Sequence, residues 1–77
     1  MKKALVLTNG LYTTSDAKTA HGLVRGSERF LIAGVIDNES TANKDAGELL
    51  DGVHRNIPLF ADLASAIIAV PDADTLI

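Results

Sequence analysis

The residues with chemistry to offer are concentrated in one short stretch. Asn9-Gly10-Leu11-Tyr12-Thr13-Thr14-Ser15 is rich in hydroxyls and leads directly into Lys18, Thr19, His21 and Arg25. Hydroxyls and free backbone N–H groups ahead of a helix are the ingredients of an anion site. The first turn of a helix has unsatisfied donors and a partial positive charge. Lys18, His21 and Arg25 follow an i, i+3, i+7 spacing, which puts a cationic, titratable strip on one helix face. The bland counterpart is a capped turn and a solvated face, with Asp16 and Glu28 as ion-pair partners. Asp37 ends an apolar run, where dinucleotide-binding folds place the acceptor for ribose hydroxyls. Its alternative role is a cap for the loop that follows.

The loop departs from both phosphate-binding fingerprints. G-x-G-x-x-G fails because Tyr12 and Ser15 stand where the second and third glycines belong. Lys18-Thr19 supplies the K-[ST] of a P-loop, but Ala17 replaces the preceding Gly and Tyr12 the leading one. The candidate ligand contacts are therefore Asn9, Gly10, Thr13, Thr14, Lys18, Thr19, His21, Arg25 and Asp37, with no catalytic residue assigned. His21 and His54 are not spaced as a metal pair and no Cys assists them, so no metal site is expected. His54-Arg55 reads as a surface turn. Two His without an elbow motif make no nucleophilic triad.

These residues need elements to hold them. Ala4 to Thr8 and Phe30 to Ile36 are unbroken apolar runs, as in strands buried on both faces of a parallel sheet. Between them a helix is expected from Asp16 to about Glu28, capped by Thr14 or Ser15. Its small apolar face is Ala17, Ala20, Val24 and Ser27, with Leu23 beside it. Gly22 and Gly26 each cost about 1 kcal/mol there relative to Ala, which points to close backbone approach to the sheet or to a neighbouring element, the bland alternative being fraying of the helix after Gly26. Asn38 to Lys44 reads as loop, and Asp45 to Leu50 as a short helix stopped by Gly52. Ile57 to Phe60 is a third strand, Asp62 caps a helix over Leu63 to Ala69 that Pro71 ends, and Thr75 to Ile77 begin a fourth strand. The order β-α-β-α-β-α-β predicts an α/β, Rossmann-like three-layer fold with about four parallel strands and right-handed crossovers.

Composition bounds the rest. The 77 residues are 47% hydrophobic and 22% charged, too apolar for a disordered tail and too short for two domains. A chain of this size buries only roughly 60% of its unfolded surface. A net charge of -3 argues against nucleic acid as a partner. No apolar run approaches the ~18 residues of a membrane span. The run after Lys2 and Lys3 is too short for a secretory signal, so a cytoplasmic location is expected. The last strand, truncated at Ile77, reads as the edge of a longer protein of which residues 1–77 are one domain, and a bare edge invites homo-oligomers.

Four segments carry a family resemblance: DAKTAHGLVRGSERF (Asp16 to Phe30), GVID (Gly34 to Asp37), KDAGELLDG (Lys44 to Gly52) and RNIPLF (Arg55 to Phe60). Together they resemble the N-terminal Rossmann-like domain of a two-domain bacterial and archaeal family long filed as of unknown function. Members have a C-terminal P-loop-type domain; some are described as D-glutamate N-acetyltransferases, others as NAD-dependent epimerase/dehydratases. The resemblance implies acetyl-CoA as cosubstrate, D-glutamate as small-molecule acceptor, and the chain's own C-terminal domain as partner across a cleft. It carries over Lys18, Thr19, His21 and Arg25, with Arg25 suited to clamp a carboxylate. A weaker resemblance, through DAGEL, is to dihydrodipicolinate-reductase-like domains and implies NAD(P) instead.

Overall fold

The apolar runs become strands because each has one side chain for either face of a sheet. A computed structural model describes all residues, Met1–Ile77. Its elements are β1 (Lys2–Leu7), α1 (Lys18–Arg25), β2 (Phe30–Ile36), α2 (Ala46–Asp51), β3 (Leu59–Phe60), α3 (Leu63–Ala69) and β4 (Thr75–Leu76), with a single 3-10 turn, Ser15–Ala17, leading into α1. The strands form one all-parallel sheet in the order β3-β2-β1-β4. Strands one to three therefore run outward in one direction, and β4 joins the opposite edge of β1. The β1–β2 register slips between Ala4, opposite Ile32, and Leu5, opposite Gly34.

Each face of the sheet has its own core. On one face Ala4, Val6, Ile32, Val35 and Leu59 meet Ala17, Ala20 and Val24 of the first helical segment and Ala46 of α2. On the other face Leu5 and Ile36 meet Ala66 of α3, with Phe60, Val70 and Ala73 around them. This is the expected α/β, Rossmann-like layering. The second layer is thin. Apart from Ser65, α3 is entirely apolar, yet only Ala66 is buried and Ile68 is 81% exposed. No helix is long and apolar enough to cross a membrane.

Caps set the helix boundaries. Asp45 accepts from Glu48 N–H at 3.0 Å and starts α2, and Gly52, at φ +81°, ends it. Asp62 accepts from Ser65 N–H at 2.8 Å and starts α3. α1 stops at Arg25, three residues before the expected Glu28. Gly26 is already extended, and Ser27 Oγ accepts from the N–H groups of Arg29 and Phe30 to launch β2. A hydroxyl taking those donors is a competing use for the backbone, so the helix does not continue.

The close approach expected at Gly22 and Gly26 is absent, since a Cβ at either would meet nothing within 4 Å. The glycine most tightly required by packing is Gly47, where the backbone itself is in the way. A Cβ there would lie 2.3 Å from the Val53 carbonyl oxygen and 2.7 Å from Arg55 Cγ. Two opposite outcomes follow in urea denaturation. Gly47→Ala should lose about 1–3 kcal/mol through overpacking. Gly22→Ala should gain about 0.5–1 kcal/mol, the helix-interior difference between Gly and Ala.

Candidate functional site

The chemistry-bearing residues lie at the carboxyl ends of the strands, around the loop from β1 to α1. Asn9 at φ +51° and Gly10 at φ +90° turn the chain sharply after Thr8. A side chain tolerates that conformation best when it is Asn or absent. Leu11 N–H then donates to Thr8 O, and Thr14 N–H to Leu11 O, so the loop is a series of tight turns. Thr14 Oγ1 accepts from Asp16 N–H at 3.2 Å and caps the 3-10 turn.

Asp37 holds this loop in place. Its Oδ1 accepts from Thr8 Oγ1 at 2.8 Å and from Tyr12 N–H at 3.1 Å, and its Oδ2 accepts from Thr41 Oγ1 at 2.7 Å. The residue is only 5% exposed. Burial alone would raise its pKa. The hydrogen bonds from Thr41, Thr8 and the Tyr12 and Gly10 backbones outweigh that and hold the carboxyl below its usual range. Both carboxylate oxygens are committed to the protein: Asp37 caps the loop that follows through Thr41 and also holds the preceding loop through Thr8 and Tyr12.

Tyr12, the residue that breaks both glycine fingerprints, is a buried pillar. Its hydroxyl donates to Ala46 O at 2.7 Å, and burial pushes its pKa up to about 12. His21 stands edge-on to its ring, 5.2 Å between centroids, and His21 Nε2 is hydrogen-bonded to the Tyr12 carbonyl. A carbonyl only accepts, so Nε2 carries a proton.

The nine candidates separate around α1. Thr13, Thr14, Lys18, His21 and Arg25 line one open groove of about 570 Å³, with Ser15 and Leu50. The ion pairs expected from Asp16 and Glu28 do not form; the pairs present are Lys3–Asp72, His54–Asp45, His54–Glu48 and Arg55–Asp51. Neither Lys18 nor Arg25 forms an ion pair, although Arg25 lies near enough to Asp51 to help hold its carboxyl down. Thr19 faces the other side, into a crevice of about 240 Å³ walled by Leu7, Leu11, Ala20, Leu23 and Ile77. Asn9 and Gly10 line neither space, and Asp37 lies beneath the loop.

A third cluster was not anticipated from the sequence. Asp45, Glu48 and His54 bring their ligand atoms within 4.8 Å of one another. His54 Nδ1 lies 2.9 Å from Glu48 Oε2, which, with Asp45, raises the His54 pKa. Asp45 is nevertheless a structural acceptor: Ile57, Glu48 and Arg55 N–H groups donate to it at 2.8, 3.0 and 3.0 Å. Nearby, the two-pronged Arg55–Asp51 pair, at 2.7 and 2.9 Å, holds the Asp51 carboxyl down at about 2. The signal for this cluster was present only as a cap residue before α2; its loop partners lie up to twelve residues away.

Asp37→Asn should cost about 1–3 kcal/mol at pH 7, because a carboxamide cannot accept from all the donors around it. A depressed folded pKa stabilises the native state above the unfolded value of 3.8, and that contribution is lost as pH falls through the folded value. The stability gap between wild type and Asp37→Asn in urea titrations should therefore narrow below about pH 4. A gap that stays constant at pH 3 would show that the charge is not what the donors require. Compared with known proteins, the chain matches no family model, no curated protein and no solved structure.

Proposed function

We propose that this chain is the substrate-binding, Rossmann-like domain of an N-acyltransferase resembling the D-glutamate N-acetyltransferases. In this reading it takes an acidic acceptor into the groove beside α1. The observation that carries the reading is the set Lys18, His21 and Arg25, gathered with the Thr13 and Thr14 hydroxyls and with no carboxylate pairing the two cations. Free cations and hydroxyls suit a ligand with more than one carboxylate, and Arg25 suits a bidentate grip on one of them. Acetyl-CoA supplies the acyl group, and a C-terminal P-loop-type domain completes the cleft. The transfer itself needs a deprotonated amine and donors for the tetrahedral oxyanion. No residue of this chain is assigned to either task.

The nicotinamide reading has less support. Its ribose acceptor would be Asp37, whose carboxylate is already saturated, and Tyr12 fills the space that a second glycine would leave open. A packing role draws on a different observation, the wholly apolar α3 with its exposed Ile67 and Ile68, which suits burial against a second copy.

Titration of the protein with D-glutamate, followed by amide chemical shifts, should give saturable changes at Thr13 to Lys18 and at Arg25. NADH should leave those signals unmoved. Arg25→Ala should weaken D-glutamate binding about tenfold or more, the value of one charged hydrogen-bonded contact. Thiol release from acetyl-CoA that depends on D-glutamate, and not on L-glutamate, would extend the binding to the reaction. Absence of any shift with either isomer would sink the proposal.

A further inference from the structure

We propose that the crevice on the other side of α1 is a binding site for a small cationic amphiphile, a primary alkylamine being the simplest case. This inference does not rest on the function proposed above, because the crevice and the groove share no residue.

Topology supplies the first argument. The sheet order β3-β2-β1-β4 reverses direction between β1 and β4. In open parallel sheets a crevice forms outside the carboxyl ends of the strands at that reversal, since the connections on its two sides lead away from each other. Here the crevice lies at the ends of both strands: Leu7 ends β1 and Thr8 follows it, and Ile77 follows β4, held by Leu7 N–H to Ile77 O at 2.8 Å.

The lining decides the chemistry. Leu7 and Leu11 are each more than 40% exposed, which is costly for side chains converging on one hollow. An apolar body covering them removes that cost. Asp16 is the single charged residue of the lining. Neither its carboxylate nor the Thr19 hydroxyl has a hydrogen-bond partner within the protein; Asp16 engages only through its backbone N–H, with Thr14. The N-terminal end of α1 contributes about half a positive charge. The full negative charge of Asp16 outweighs it, so the mouth of the crevice favours a cation or a hydrogen-bond donor. Lys18, the nearest cation in sequence, lines the groove on the opposite side. At about 30 Å³ per water, the 240 Å³ volume holds about eight waters, the bulk of a six-carbon chain with an amine head.

The test titrates the protein at neutral pH with n-hexylamine, hexan-1-ol and hexanoate while side-chain methyl resonances are recorded. Hexylamine should shift the methyls of Leu7, Leu11, Leu23 and Ile77 saturably, with hexanoate at least tenfold weaker. Asp16→Asn, at an exposed position, should reduce the amine to the affinity of the alcohol. Equal binding of amine and carboxylate would overturn the proposal. So would shifts confined to Ile67 and Ile68 of α3, which would indicate unspecific adsorption. Crevice shifts that follow protein concentration rather than ligand would assign the surface to a second copy of the chain and also overturn it.

Discussion

A single buried carboxylate sets the geometry on which everything at the top of the sheet depends. Asp37 ends β2, and its two oxygens gather Thr8 from the end of β1, Tyr12 from the following loop and Thr41 from the next loop. Burying an anion is expensive unless every lone pair finds a donor. These partners, with the Gly10 backbone N–H, come close to meeting that condition, and in doing so they fix where the β1 loop must run. The consequences pass along the chain. With its backbone held by Asp37, Tyr12 drops its ring into the core and bonds α2 through Ala46. The same residue's carbonyl receives His21, which ties the first turn of α1 to the loop. Groove and crevice alike inherit their shape from that anchored loop.

α1 works as a partition between two unlike environments. Lys18, His21 and Arg25 present positive or titratable groups to one side, while Asp16 and Thr19 turn to an apolar hollow on the other. The helix is only eight residues long, Lys18–Arg25, so this contrast is achieved across a little more than two turns. Its buried edge, Ala20 and Val24, is small enough to let the helix sit low on the sheet, so that both flanks open beside strand ends rather than above a thick layer of side chains.

Much of the framework could be read from local patterns. The second strand and the third helix match in extent, Phe30–Ile36 and Leu63–Ala69, because an apolar run and a cap-to-proline interval are signals contained within the element. α1 ended early because Ser27 uses its hydroxyl on the backbone ahead of β2, a choice that periodicity does not register. The third strand shrank from Ile57–Phe60 to Leu59–Phe60, since Ile57 N–H is taken by Asp45 instead of the sheet. Of the site, the helix-face trio was legible from spacing alone. The role of Asp37 was not, because its partners stand 25 and 29 residues earlier and 4 later. Nor was the meaning of Tyr12, which as a string of letters is merely a missing glycine.

The two sides of the sheet are loaded unequally. Eleven buried residues form the core under α1 and α2, and three form the core under α3. Cooperative opening follows the apolar area that must be exposed. The α3 layer is therefore a separate, weaker unit that can exchange its amides with solvent while the main core stays shut. Anything that covers Ile67 and Ile68 would slow that exchange, giving the molecule a reporter of association built into its own breathing.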